Sequence, residues 1–287
     1  MKVKAITHGS ATLVNAIPCG RGAAFSLDLP VAVTVELTDI DAPIEVTCEA
    51  DPGLVRRCVS ETFARAGCLS GARVEVTSSV PVARGLSSSS AVSNAAVLAA
   101  TVAAEADPDD SAVLDAAIDI SIAMGVSVTG ALDDAHASYF GGAVATDNLQ
   151  RKIVMALNIP SDAVAVVLIP PEPSPTAATD VEALRRLASR ARTAWDTTLT
   201  EPARGMILNG RLVCEALNID PAPMEEALNA GALGASLSGT GSAFVALARE
   251  EGTHKVFEAF RAYEGEARVV AINYKKARIA APSSKLF

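Results

Sequence analysis

Pro81-Val82-Ala83-Arg84-Gly85-Leu86-Ser87-Ser88-Ser89-Ser90-Ala91 decides how this chain is read. Gly85 and four consecutive serines stand directly before residues 91–106, a run rich in Ala, Val and Leu and free of Gly and Pro, which predicts a buried helix. The first turn of a helix leaves four backbone N–H groups unpaired, and the helix dipole favours negative charge at that end. Small side chains let the backbone approach a phosphate closely, and serine hydroxyls donate to phosphate oxygens or ligate Mg²⁺. One serine here would read as an N-cap. Four in a row after Pro-x-x-x-Gly-Leu read as an anion site. A Walker A loop is absent: Gly205-Met206-Ile207-Leu208-Asn209-Gly210-Arg211-Leu212 lacks the Lys-Ser/Thr pair and lies in a helical pattern.

A second run, Gly234-Ala235-Ser236-Leu237-Ser238-Gly239-Thr240-Gly241-Ser242-Ala243, precedes the strand-like Phe244-Val245-Ala246-Leu247. Alternating glycines and hydroxyls form either a tight turn or a nest of N–H groups that holds an anion. The third cluster is Thr129-Gly130-Ala131-Leu132-Asp133-Asp134-Ala135-His136, running on to Gly141-Gly142. Phosphoryl transfer to an alcohol uses a carboxylate to accept the hydroxyl proton and another group to hold Mg²⁺. Two adjacent aspartates divide those roles or form a solvated turn, and the small apolar flanks argue against simple exposure. His136 reads as a hydrogen-bonded neighbour, and His8 and His254 as structural or exposed. Three histidines this far apart make neither a metal site nor a Ser-His-Asp triad.

Residues 31–37 alternate and are β-branched, which predicts a strand, as do 43–48 and 73–78. Helical spacing at 53–67 ends on Gly67, and 111–124 predicts another helix. Residues 139–146, 153–157 and 163–169 read as strands, with a turn at Asp147-Asn148. Pro170, Pro171, Pro173 and Pro175 then interrupt regular structure. Helices are expected at 180–195, 204–217, 222–230 and 254–263, and strands at 242–248 and 267–273. Antiparallel hairpins mixed with crossover helices predict an α+β fold in two domains, divided as 1–155 and 156–287.

The bulk numbers narrow the function. The 287 residues are 50% hydrophobic and 4% aromatic, with a net charge of -9. An acidic surface with few aromatic rings disfavours nucleic acid and anionic membranes as partners. Cys19, Cys48, Cys58, Cys68 and Cys214 are scattered and show no C-x-x-C, which suits reduced thiols in the cytoplasm. The N-terminus lacks an apolar leader core, and no apolar run approaches the roughly 18 residues that span a membrane.

The three clusters, in this order, resemble the GHMP kinase superfamily. Its second motif, Pro-x-x-x-Gly-Leu-(Gly/Ser)-Ser-Ser, matches residues 81–89, and its third, a Ser-Gly-x-Gly loop before a strand, matches 238–242. Residues 9–16 with 20–25 look like the first motif. Within the superfamily, Val14-Asn15-Ala16-Ile17, the serine run at 87–90 and Thr129-Gly130-Ala131-Leu132-Asp133-Asp134-Ala135 resemble the archaeal shikimate kinases.

The resemblance implies a ribosomal protein S5 domain 2-like N-terminal domain, a ferredoxin-like C-terminal domain, and ATP and acceptor in the cleft between them. It implies ATP and Mg²⁺ as cofactors, a monomer or homodimer, and phosphorylation of the shikimate 3-hydroxyl in aromatic amino-acid biosynthesis. Residues 81–91 would bind ATP, with Ser238, Gly239, Thr240, Gly241 and Ser242 closing on the transferred phosphoryl group. Ser89 matches the serine that ligates Mg²⁺. Asp134 matches the catalytic aspartate counted back from Gly141, and Asp133 fits counted forward from Gly130, so both stand. Asn15 and Arg21 are carried as acceptor-binding candidates, and Arg84 as a further cation for the acceptor or a phosphate. Two features depart from the pattern: Ala123 stands where many members have a glutamate Mg²⁺ ligand, leaving Asp133 or Asp119 to supply it, or Ser89, the phosphates and water to hold the ion without it, and Ser10 stands near the place of a first-motif lysine. Another acceptor (homoserine, mevalonate, pantoate or a sugar) and a non-catalytic nucleotide-binding regulator remain as alternatives.

Overall fold

The structure, a computed structural model, describes residues 1–49, 52–174 and 178–280; Pro175 lies outside them. It opens with two long strands, β1 (Lys2–Val14) and β2 (Arg21–Ile40), although the first strand expected from sequence was 31–37. Every residue of β1 from Ala5 onward is buried. A strand covered on both faces shows no alternation, so its pattern is silent.

β2 is long enough to serve two neighbours besides β1. Its first residues pair with β5 (Ala143–Asp147), from Arg21 opposite Asp147 to Phe25 opposite Ala143. Its second half pairs with β4 (Ser70–Ser78), which takes β3 (Ile44–Thr47) in parallel. β6 (Lys152–Leu157) completes the hairpin with β5.

Four helices accompany this sheet: α1 (Pro52–Ala66), α2 (Ser88–Ala103), α3 (Asp110–Ala123) and α4 (Leu132–Phe140). α2 contacts β1, β2 and the other three. Its alanines at 91, 95, 96, 99, 100 and 103 are fully buried, as a helix apolar on every side requires.

The second sheet is antiparallel and contains β7 (Ala163–Ile169), β8 (Gly234–Leu237), β9 (Phe244–Arg249) and β10 (Glu266–Ala271), in the spatial order β10-β7-β9-β8. Between β7 and β8 run α5 (Val181–Arg185), α6 (Ala188–Thr198), α7 (Pro202–Leu217) and α8 (Ala222–Asn229), and α9 (Thr253–Arg261) joins β9 to β10. This fourth-first-third-second order is ferredoxin-like. α7 packs on both β8 and β1 and so ties the two sheets together. The chain then returns: Ile272 bridges to Leu27, and β11 (Arg278–Ile279) pairs with β1.

Two expectations change here. Residues 139 and 140 are helical rather than strand, because α4 continues to Phe140 and is stopped by Gly141 and Gly142, both at positive φ. The helix expected at 180–195 is two, α5 and α6, parted at Arg186–Leu187.

Candidate active site

The serine run occupies the start of α2. Ser87, the N-cap residue, has left-handed backbone (φ 59) and makes no side-chain cap. The first-turn N–H groups at 88–90 are therefore left for an external acceptor, as at other helix N-termini that hold anions.

Gly85 and the second glycine run meet directly. Gly85 has φ +77, and a Cβ on it would lie 2.0 Å from the Ser238 carbonyl oxygen, so only glycine fits. Ser238 Oγ donates to Gly85 O at 2.8 Å and accepts from Thr12 N at 3.1 Å, while Gly239 N donates to Thr12 Oγ1 at 2.9 Å. Three segments distant in sequence thus form one wall. The first four residues of the run, 234–237, are strand β8, and the loop proper is 238–243.

The proline-rich segment after β7 straps this wall. Ser174 N donates to Ala83 O at 2.9 Å and Ser174 Oγ to Thr240 O at 3.0 Å. Arg84 Nη2 donates to Pro171 O at 2.5 Å, while its Nη1 is buried with no hydrogen-bond partner.

A cavity of about 1020 Å³ opens against the wall. Its lining includes the apolar side chains of Leu54, Val55, Val76, Val80 and Val92, Gly85 and the four serines, and also Asn15, Ile17, residues 124–129 and the two aspartates. Among the described residues, the carboxylates lining it are Glu49, Asp133 and Asp134.

The aspartates are the acidic residues of the first turn of α4, not a solvated turn. Ser10 Oγ, 2.6 Å from Ser87 Oγ, donates to Asp134 Oδ1 at 3.0 Å. Asn148 Nδ2 donates to Asp133 Oδ1 at 2.9 Å. Burial raises the pKa of both carboxyls. For Asp133 the neighbouring Asp134 charge adds to burial and brings it to about 7, whereas hydrogen bonds from Ser87 and Ser10 oppose the rise at Asp134.

The remaining candidates divide. Asn15 lines the cavity, but its side chain is engaged: Oδ1 accepts from Ile17 N and Nδ2 donates to Gly239 O, both at 2.8 Å. Arg21 lies outside the lining residues, stacked 4.7 Å above the Trp195 ring with Nε 3.6 Å from Asp147. Asp119 is paired with Arg151 on the surface of α3, away from the cavity, so of the two substitutes for the missing glutamate only Asp133 is in place. His136 stacks on Phe140 and is held neutral by burial, its pKa lowered to about 4.

Asn148, Ser174 and Asn209 belong to this site region and carry no motif signal, whereas Thr12 falls inside the first-motif match at 9–16. Asn209, buried on α7, accepts from Asn15 N at 2.9 Å and donates to Ser236 Oγ at 3.1 Å. A buried polar residue in an otherwise amphipathic helix was the only trace of it in the sequence.

Comparison with known proteins agrees with this geometry. A family model described as the GHMP kinases N terminal domain matches residues 53–142, and one described as GHMP kinases C terminal matches 224–265. A shikimate kinase of Methanothermobacter thermautotrophicus is 39% identical, the match covering 94% of this chain and 96% of the relative. Shikimate kinases of Methanocella arvoryzae and Halobacterium salinarum are 38% and 37% identical, covering 95% and 97% of this chain and 94% and 99% of theirs. Among solved structures, homoserine kinase from Cytophaga hutchinsonii superposes with a TM-score of 0.77 at 19% identity over 97% of each chain. Mevalonate kinase of Methanococcus jannaschii gives 0.76 at 14% identity, over 95% of this chain and 98% of its own. Those two likenesses are of fold alone. No helix among the described residues is long and apolar enough to cross a membrane.

Proposed function

This chain belongs to the GHMP kinase family, and we propose that it transfers the γ-phosphoryl group of ATP to the 3-hydroxyl of shikimate. One observation carries the reaction type: an uncapped helix N-terminus and a buried carboxylate pair share a single cavity. The acceptor is supported by relatives named shikimate kinase that match over nearly the whole chain.

The adenine ring takes the apolar side chains of the lining, among them Leu54, Val55 and Val76, and the phosphates lie on the first turn of α2, facing 239–242. Arg84, with an unpartnered Nη1, offers them a cation. Asp134 accepts the proton of the attacking hydroxyl. The Ser10 and Ser87 hydroxyls hold its carboxylate toward the acceptor end and oppose the burial that would keep it protonated. Shikimate carries a carboxylate, which takes a cation; of the two arginine candidates Arg84 lines the cavity, whereas Arg21 is held outside the lining by Trp195 and Asp147 and would have to leave them to serve. Asn15 lines the cavity with its side chain tied to Ile17 and Gly239, and serves the acceptor by shaping the wall.

The cavity suits Mg²⁺. The ligand candidates Asp133, Asp134 and Ser89 offer only oxygen, and the Asp134 charge pushes the Asp133 pKa up with no basic side chain among the hydrogen-bond partners of either aspartate. Asp133 and Ser89 would hold the ion, which when bound offsets charge on the phosphates. The chain is taken as two domains, 1–155 and 156–287, with the reaction between them. The five scattered cysteines, with no C-x-x-C among them, support a reducing cytoplasm.

ADP release from ATP, measured against shikimate, homoserine, mevalonate and pantoate, tests the reading. Turnover is expected with shikimate; turnover with homoserine and none with shikimate overturns the acceptor.

A further inference from the structure

Asn148 sits in the turn between β5 and β6, where an asparagine is ordinarily explained by the turn alone. Here the local work belongs to its neighbour: Asp147 Oδ1 accepts from Gln150 N at 3.0 Å. The Asn148 side chain is turned inward instead, and the residue is only 4% exposed. Nδ2 donates to Asp133 Oδ1 at 2.9 Å and to Thr129 Oγ1 at 3.2 Å. Oδ1 accepts from the Thr146 hydroxyl at 2.6 Å, and the Asn148 backbone N–H donates to Gly20 O at 2.8 Å.

This network has one sense. In the ionised form that a cation ligand takes, the Asp133 carboxylate only accepts, so the amide nitrogen faces it. The Thr146 hydroxyl on the other side then satisfies the amide oxygen and opposes a flip. Thr146 itself is fully buried on β5, the strand that pairs with the first residues of β2. On the opposite flank, Gly22 of β2 leaves no side chain to compete for the carboxyl. The Asp133 carboxyl is thus held between a strand and a turn, both outside its own helix.

We propose that Asn148 is a positioning residue: it holds the Asp133 carboxyl in one orientation and thereby sets the affinity of the site for the divalent cation, with Thr146 locking the amide. This rests on the assignment of Asp133 as a Mg²⁺ ligand made above. Residues that orient a ligand from behind typically change metal affinity or activity by roughly 10–100-fold when removed.

Mn²⁺, which shares the preference for oxygen ligands, is the probe. The signal of free Mn²⁺ is followed by EPR as the ion is titrated into protein saturated with a non-hydrolysable ATP analogue. Asn148→Ala is expected to weaken Mn²⁺ binding by roughly 10–100-fold, and Thr146→Val by a smaller factor. In the turnover assay kcat falls in the same order, while KM for shikimate stays within about twofold. A folded Asn148→Ala variant that binds Mn²⁺ as the parent does overturns the proposal. Should Asn148→Ala not fold, unchanged Mn²⁺ affinity in Thr146→Val overturns it. Unweakened Mn²⁺ binding by Asp133→Asn removes the ligand role and the proposal with it. A parent protein that binds Mn²⁺ with the analogue yet phosphorylates no shikimate overturns the acceptor only and supports the positioning role through the affinities.

Discussion

Gly22→Ala isolates the position of one carboxyl. Gly22 lies on β2 without positive φ, so alanine adds no backbone strain there. The added Cβ would stand 2.4 Å from Asp133 Oδ2 and 2.5 Å from its Cγ, where an ordinary contact begins at 3.4 Å. The carboxyl must therefore retreat by roughly 1 Å, and a displacement of that size in a reacting group costs about 10²-fold in rate. The retreat also disturbs the 2.9 Å bond that Asn148 makes to this carboxyl, and spoiling the geometry of a buried hydrogen bond costs about 1–3 kcal/mol. In a chain of this size each kcal/mol corresponds to about 2–4 °C in Tm. The assay is kcat at saturating ATP and shikimate, beside the melting temperature of the same preparation. We expect a fall in kcat of about 10²-fold together with a modest loss of Tm. A folded Gly22→Ala variant with parental kcat would refute the placement of Asp133 in the reacting constellation.

Other outcomes follow from the same geometry. Asp134→Asn is expected to lower kcat by roughly 10²–10⁴-fold, and an unchanged kcat in the folded variant removes its role as base. Ser89→Ala should raise the Mg²⁺ concentration needed for half-maximal rate; an unaltered titration takes Ser89 out of the metal site. The Asp133 pKa, raised from 3.8 to about 7, means that the folded chain binds more protons than the unfolded one between those values. Stability in metal-free buffer therefore falls as pH rises through that window. A Tm series from pH 5 to 8 should show the fall in the parent and a flatter profile in Asp133→Asn; parallel profiles would count against the shift.

The legibility of this protein in its sequence varies with the range of each interaction. The serine run, the alanine-rich helix and the Gly239-Thr240-Gly241 loop are local features. Backbone freedom, side-chain size and helix polarity act within a few residues, so their pattern is readable. β1 was invisible because burial on both faces erases alternation. Tyr139 and Phe140 were read as strand because aromatic residues favour strands, whereas packing of α4 on the sheet decided for helix. Asp133 and Asp134 are recognisable as a pair whose small apolar flanks argue against exposure, but their hydrogen-bond partners are not readable.

What the sequence determined by itself was a serine-rich helix start of the kind that suits an anion and an adjacent carboxylate pair, since both depend on neighbours along the chain. Only the tertiary structure decided which groups serve them. Ser10 reaches Asp134 across 124 positions, Ser238 reaches Gly85 across 153, and Asn148 reaches Asp133 from a turn that looked like mere connection. Hydrogen bonds between distant segments leave no periodicity in sequence, because strand register and helix packing, not local spacing, bring the partners within reach.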